Sequence, residues 1–337
     1  MISFLHYFGG LFLGWSLGAN DSANVFGTAV SSKMVNHRVA VVLIAIFVII
    51  GALMEGRAGI ITLSRDLRDK VDISKAGLAP SELARISDKA IQTAMIISYA
   101  AALAVTAMTI LKVPVSTSQA VVGAIIGVGF MQNNLNFKGL GKVVICWIGT
   151  PLGGIFFSFV FYYLFRYLVR RWKPSIFTYE PVMSLLLILC GCYGAYALGA
   201  NNVANVTAVF VGNNMLTVPQ AALFGGISIA IGALTFARPV MITVGKGIVR
   251  LDAFSAFICV LSQAVTVHIY AIVGVPVSTS QAIVGAVLGI GFIRGVHTIN
   301  LKTLGFVSAG WLSTPFVAAF LSIIFYYIAN LYYMPGL

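Results

Sequence analysis

Residues 18–25 read Gly18-Ala19-Asn20-Asp21-Ser22-Ala23-Asn24-Val25, and residues 199–206 read Gly199-Ala200-Asn201-Asn202-Val203-Ala204-Asn205-Val206. A second block, Pro114-Val115-Ser116-Thr117-Ser118-Gln119-Ala120, returns unchanged as Pro276-Val277-Ser278-Thr279-Ser280-Gln281-Ala282. A third, with Trp147, Thr150 and Pro151, returns as Trp311, Thr314 and Pro315, and each copy runs on to Phe-Tyr-Tyr. Three blocks in one order mark a duplication. It divides the chain into a first repeat, 1–173, and a second, 174–337. The first block recurs after 181 residues and the second after 162. The first half therefore carries an insertion of nineteen residues, which falls in the polar stretch 57–89. That stretch holds five of the nine acidic residues and reads as a surface loop or short helical excursion.

The blocks sit in a chain built for lipid. Hydrophobic residues make up 59% and charged residues 9%, too little charge for the surface of a soluble protein. Each half reads as a span, a second span, a hairpin broken around Pro-Val-Ser-Thr-Ser, and a last span. In the first half these cover 4–32, 39–56, 92–131 and 143–168; in the second, 182–210, 219–236, 253–292 and 305–333. The fold class is thus an all-α integral membrane protein of two repeats, each with transmembrane helices and a broken helical hairpin. If each hairpin returns to its own side, each half crosses three times and the repeats have inverted topology. The short basic clusters 33–38 and 166–173 then face the cytoplasm, and both termini are extracytoplasmic. Lys138 and Lys142 fall on the opposite side and run against that count. A multi-pass protein of the cell membrane is expected. The first lysine is Lys33, so no basic leader segment precedes the first span. The net charge of +12 is spread over short loops and does not point to nucleic acid. Cys146, Cys190, Cys192 and Cys259 lie in apolar runs without metal-ligand spacing.

Asp21 is the only carboxylate deep within an expected span, where a charge needs a partner. Asn20 and Asn24 share a helix face beside it, and Asn201, Asn202 and Asn205 repeat the pattern without the acid. These hard oxygens suit sodium or a similar cation. In the hairpins proline ends one helix, and Ser or Thr caps the next. Ser116, Thr117, Ser118 and Gln119, with Ser278, Thr279, Ser280 and Gln281, then surround a helix N-terminus that can hold an anion without Arg or Lys. Two such tips facing each other would form a two-sided oxyanion cradle. A cation at the Asp/Asn cluster would offset the anion's charge and couple the two fluxes. His268 stands alone in an apolar run and reads as a packed, hydrogen-bonded residue. No intramembrane nucleophile–base pair points to an enzyme.

The paired Gly-Ala-Asn-Asp/Asn-x-Ala-Asn and Pro-Val-Ser-Thr-Ser-Gln-Ala blocks resemble those of the PiT family of sodium- or proton-coupled inorganic phosphate transporters, over about Gly18 to Tyr327. The resemblance implies inverted repeats, a homodimer in the bilayer, a moving domain bearing the hairpins, phosphate as substrate and sodium as the usual co-transported ion. It implies no cofactor beyond that ion. Asn202 departs from the family pattern, which often has Asp in both signature blocks. A sulfate permease of the same architecture and a passive anion channel are the competing readings. The buried Asp21 weighs against the channel, because it repels a permeant anion.

Overall fold

The structure, a computed structural model, describes residues 4–66, 80–133, 135, 137–241, 249 and 251–332. The principal elements are ten long helices: α1 (Phe8–Ser31), α2 (His37–Asp66), α3 (Pro80–Ile110), α4 (Thr117–Met131), α5 (Phe137–Trp172), α6 (Ile176–Gly212), α7 (Val218–Phe236), α8 (Ala253–Val273), α9 (Thr279–Arg294) and α10 (Leu301–Tyr332). No strand occurs among the described residues. Seven helices, α2, α3, α5, α6, α7, α8 and α10, are long and apolar enough to cross a membrane. With 15 and 16 residues, α4 and α9 are too short to do so alone. The polar centre of α1 keeps it below the hydropathy of a lipid-facing span, and every residue from Ser16 to Ala29 is buried.

Each expected span corresponds to a helix, and each expected hairpin to a long and a short helix separated by a break. One boundary needs correction. The second span was expected to end at residue 56, with a polar excursion from 57. Instead α2 continues to Asp66 and α3 begins at Pro80, so 57–66 and 80–89 extend the flanking helices. Glu55 consequently lies inside a membrane-length helix, not at its end. Residues 67–79 of the excursion lie outside the described residues.

The helices pair so that each contact in one half recurs in the other with the partners exchanged. α1 packs on α7 as α6 packs on α2, α1 on α3 as α6 on α8, and α4 on α10 as α9 on α5. Small residues make this possible. A Cβ on Gly18 would lie 1.9 Å from the Ile229 carbonyl, and one on Gly199 2.0 Å from that of Val48. The third sequence block serves the same end: a Cβ on Gly123 would meet the Pro315 carbonyl, and one on Gly285 that of Pro151, each at 2.2 Å. The main core joins both halves around Leu17, Phe26, Val48, Leu198, Phe257 and Ile290. Helices α5 and α10 form the outer walls: 17% of their apolar windows is buried, against 61% for α3 and α8.

The two breaks are held from outside their own hairpins. Asn20 Nδ2 donates to Thr109 Oγ1 (2.9 Å) and the Val113 carbonyl (3.1 Å), and Asn20 Oδ1 accepts from the Val115 N–H (3.1 Å). In the other half Asn201 Nδ2 donates to the Val275 carbonyl (3.2 Å), and its Oδ1 accepts from the Val277 N–H (2.9 Å). Ser116 and Ser278 cap the short helices, accepting from the N–H groups of Gln119 (3.3 Å) and Gln281 (3.2 Å).

Two stability predictions follow from this packing. Gly123→Ala and Gly285→Ala should each destabilise by about 1–3 kcal/mol, because backbone cannot yield to the added methyl. Gly141→Ala and Gly305→Ala, at helical positions where nothing lies within 4 Å, should leave stability unchanged or raise it by up to about 1 kcal/mol. Asn20→Ala and Asn201→Ala should each cost about 1–3 kcal/mol by stranding buried backbone groups. Thermal unfolding of the protein in detergent measures all six.

Candidate functional site

The centres of α1 and α6 bring the two breaks together. Ser280 Oγ, on the second tip, donates to the Val115 carbonyl of the first at 2.7 Å. Asn24 Nδ2, on α1, reaches across to Thr279 Oγ1 at 3.2 Å. The carboxylate of Asp21 has the hydroxyls of Thr117 and Thr279, one from each tip, as polar neighbours. The expected residues Asn20, Asp21, Asn24, Asn201, Asn202, Asn205, Ser116, Thr117, Ser118, Gln119, Ser278, Thr279, Ser280 and Gln281 are all buried, none more than 5% exposed. Among the described residues Asp21 is the only buried charged side chain.

The hydrogen bonds divide these residues by task. Asn20 and Asn201 spend both ends of their amides on the breaks. Within each tip the serines bond one another, Ser116 to Ser118 at 3.1 Å and Ser278 to Ser280 at 2.9 Å. Asn205 Nδ2 donates to Asn202 Oδ1 at 2.9 Å. Several atoms are left over. Asp21 Oδ1, Asn24 Oδ1, Gln119 Oε1 and Gln281 Oε1 accept no hydrogen bond of ordinary geometry, and Thr117 Oγ1 and Asn202 Nδ2 are likewise unpaired. Stranding one such group costs about 1–3 kcal/mol. Thr117 Oγ1, Gln119 Oε1 and Gln281 Oε1 belong to the two helix starts, and Asp21 Oδ1 and Asn24 Oδ1 to side chains that neighbour the tip threonines, a set that a ligand could complete. Oxygens without donors fit a cation; a free hydroxyl and two helix N-termini fit an anion.

Two polar residues, Gln263 and Glu55, had escaped the reading of the sequence, and a third, His268, is hydrogen-bonded as expected. Gln263 on α8 is fully buried with both amide atoms unpaired. A Cβ on Gly194 of α6 would lie 3.4 Å from its Oε1. Comparison of the halves could have found it, since Ala101 stands at the equivalent place. His268 is not alone: its Nδ1 lies 2.7 Å from the Tyr193 hydroxyl and its Nε2 2.6 Å from Glu55 Oε2. Glu55 went unnoticed because its span was expected to end there.

Known proteins resemble the chain over this whole arrangement. A solved sodium-dependent phosphate transporter shares the fold, with a TM-score of 0.80 and 24% identity over 97% of this chain and 98% of its own. A Methanocaldococcus jannaschii protein described as "putative phosphate permease" is 30% identical, covering 91% of each chain. The sulfate permease CysP of Bacillus subtilis is 29% identical over 93% of this chain and 84% of its own. The family model of the phosphate transporters matches residues 17–322, which takes in both signature blocks, both tips and both proline-bearing outer helices. The chain belongs to the phosphate transporter family.

Proposed function

We propose that this protein imports inorganic phosphate together with sodium, by alternating access between two inverted repeats in the cell membrane. The observation that carries the reading is the position of Asp21, a lone buried carboxylate with one threonine hydroxyl from each tip beside it. A carboxylate there repels a bare anion. It favours binding only when a cation sits between them, or when the anion brings a proton to share, as phosphate does and sulfate does not. Sodium is held by Asp21, Asn24, Asn202 and Asn205, while Asn20 and Asn201 act as struts. The anion lies at the tips, against Ser116, Thr117, Ser118 and Gln119 on one side and Ser278, Thr279, Ser280 and Gln281 on the other. The exchange of helix partners between the halves supports inverted repeats, and both termini are then extracytoplasmic. The protein works as a homodimer. Sulfate is the second reading, favoured by the relative named a sulfate permease.

Labelled phosphate and sulfate uptake into proteoliposomes, with a sodium gradient imposed, tests the proposal. Phosphate should enter faster than sulfate, and only with sodium. Asp21→Asn keeps the shape of the side chain and removes its charge, and it should abolish the sodium dependence. A variant that retains the wild-type sodium dependence would make Asp21 structural. Thr117→Val removes the first tip's threonine hydroxyl, which neighbours Asp21. It should weaken phosphate binding about 10- to 100-fold, the worth of a hydrogen bond to a charged group, with thermal stability unchanged.

A further inference from the structure

A second set of titratable groups lies away from the tips. His268 stands between Glu55 Oε2, at 2.6 Å, and the Tyr193 hydroxyl, at 2.7 Å. The Tyr193 and Tyr196 rings meet the imidazole edge-on, with centroids at 5.3 and 5.7 Å, and the Tyr196 hydroxyl also bonds Glu55. The set joins three helices: α2 brings the acid, α8 the imidazole, α6 the phenols. Other titratable groups are turned away from it or lie further off. Arg57 follows Glu55 by two residues and is exposed. Cys190 and Cys192 lie further back on α6. Tyr270 of α8 turns to α5, where a Cβ on Gly149 would lie 2.5 Å from its hydroxyl, and Cys146 is on the same side.

Three observations set this cluster apart from ordinary packing. Its residues lie within helices long and apolar enough to cross a membrane, where an ionisable group is costly and usually functional. Gly51, just before Glu55, backs on the Tyr196 carbonyl, and Gly59, just after it, packs near Asn201, the strut of the second break. It is also built onto the second hairpin. From His268, α8 runs about two turns to Gly274, which takes φ +78° at the break and abuts Ala58 and Thr62 of α2. Finally, it exists once, behind the second hairpin. The positions equivalent to Tyr193, Tyr196, His268 and Glu55 hold Phe12, Trp15, Thr106 and Phe236. There Trp15 stacks with Phe12 and tilts against Phe236, at 6.0 and 6.1 Å, and no group can titrate near neutral pH. The imidazole and both phenols belong to the repeat whose signature block has Asn202 in place of a carboxylate, and Glu55 comes from the other repeat.

We propose that Glu55 and His268 form an exchangeable proton site, tied to the second hairpin, that makes the proton a co-substrate of anion transport. This rests on the anion-transport reading for its cargo. One proton adds to the neutral imidazole and leaves from it; no other bond changes. With the proton, the pair is an ion pair of no net charge, bridging α2 and α8. Without it, a single negative charge remains at membrane depth. Loading therefore favours α8 docked on α2, and unloading favours separation, which shifts the tip that α8 carries. His268 is 19% exposed and Glu55 39%, so the pair opens to the surface of the protein and not to the buried tips.

Proteoliposomes with a pH dye in the lumen test this, with an inward pH gradient and sodium present at equal concentration on both sides. Wild-type protein should take up labelled phosphate and acidify the lumen as it does so. Glu55→Gln and His268→Gln should keep phosphate–phosphate exchange at equal pH within about twofold, which shows the fold and the tips intact. Both should lose gradient-driven uptake and acidification by about tenfold or more. Uptake without acidification by the wild type, or variants as proton-driven as the wild type, would overturn the proposal. If sulfate is exchanged and phosphate is not, the substrate reading fails, and the proton readout is taken with sulfate. A cargo-free arm completes the test: NMR of labelled histidine in the purified protein, which has four histidines. The His268 signal should change when the protein is acidified and respond to Glu55→Gln; a signal that does neither overturns the proposal whatever the anion.

Discussion

A helix broken inside a membrane exposes N–H and C=O groups that lipid cannot satisfy. The two breaks, at residues 113–116 and 275–278, are possible here because two buried amides answer them. Asn20 and Asn201 supply donor and acceptor at once, as no apolar side chain could and as no water is needed to do. Much of the surrounding structure serves that pairing. To reach the tips, the centres of α1 and α6 must be polar and sealed from lipid, so the other helices enclose them. Close packing against α7 and α2 requires glycine at positions 18 and 199, in the same signature blocks that supply the struts. Each block is therefore a mechanical unit, with a glycine to admit a neighbouring backbone and an asparagine to hold a break open.

The duplication, the helix order and the position of each break were legible in the sequence because they depend on local chemistry. Apolar runs set the helices, proline ends them and serine starts the next. The division of labour among the asparagines was not legible. Asn20 and Asn24 share a face at i and i+4, and by type either could hold a cation. Yet one turn of α1 separates two different neighbours. Asn20 is level with the break of its own half, and Asn24 with Thr279 of the other. Only the crossing of helices from both halves decides this, and spacing within one helix carries no record of it. The Glu55–His268 contact is hidden for the same reason, since its partners are 213 residues apart. A span boundary drawn ten residues short also hid Glu55, because α2 stays helical through Arg65 and Asp66, beyond its apolar stretch.

The asymmetry between the halves has a physical consequence. Two identical tips facing one another would bind an anion with equal strength from either side, and nothing in their geometry would make binding depend on a gradient. The chain keeps the tips identical and changes what surrounds them. One signature block has Asp21, and its counterpart has Asn202. Behind the first hairpin stands an aromatic stack of Phe12, Trp15 and Phe236, and behind the second a carboxylate, an imidazole and two phenols. The surroundings can diverge without disturbing the tips because the amide struts hold each break regardless of what lies behind it. A symmetric pair of tips in unsymmetric electrostatics is what the proposed coupling requires: the two tips offer the same donors, and the groups around them, Asp21, Glu55 and His268, have no titratable counterparts at the equivalent positions.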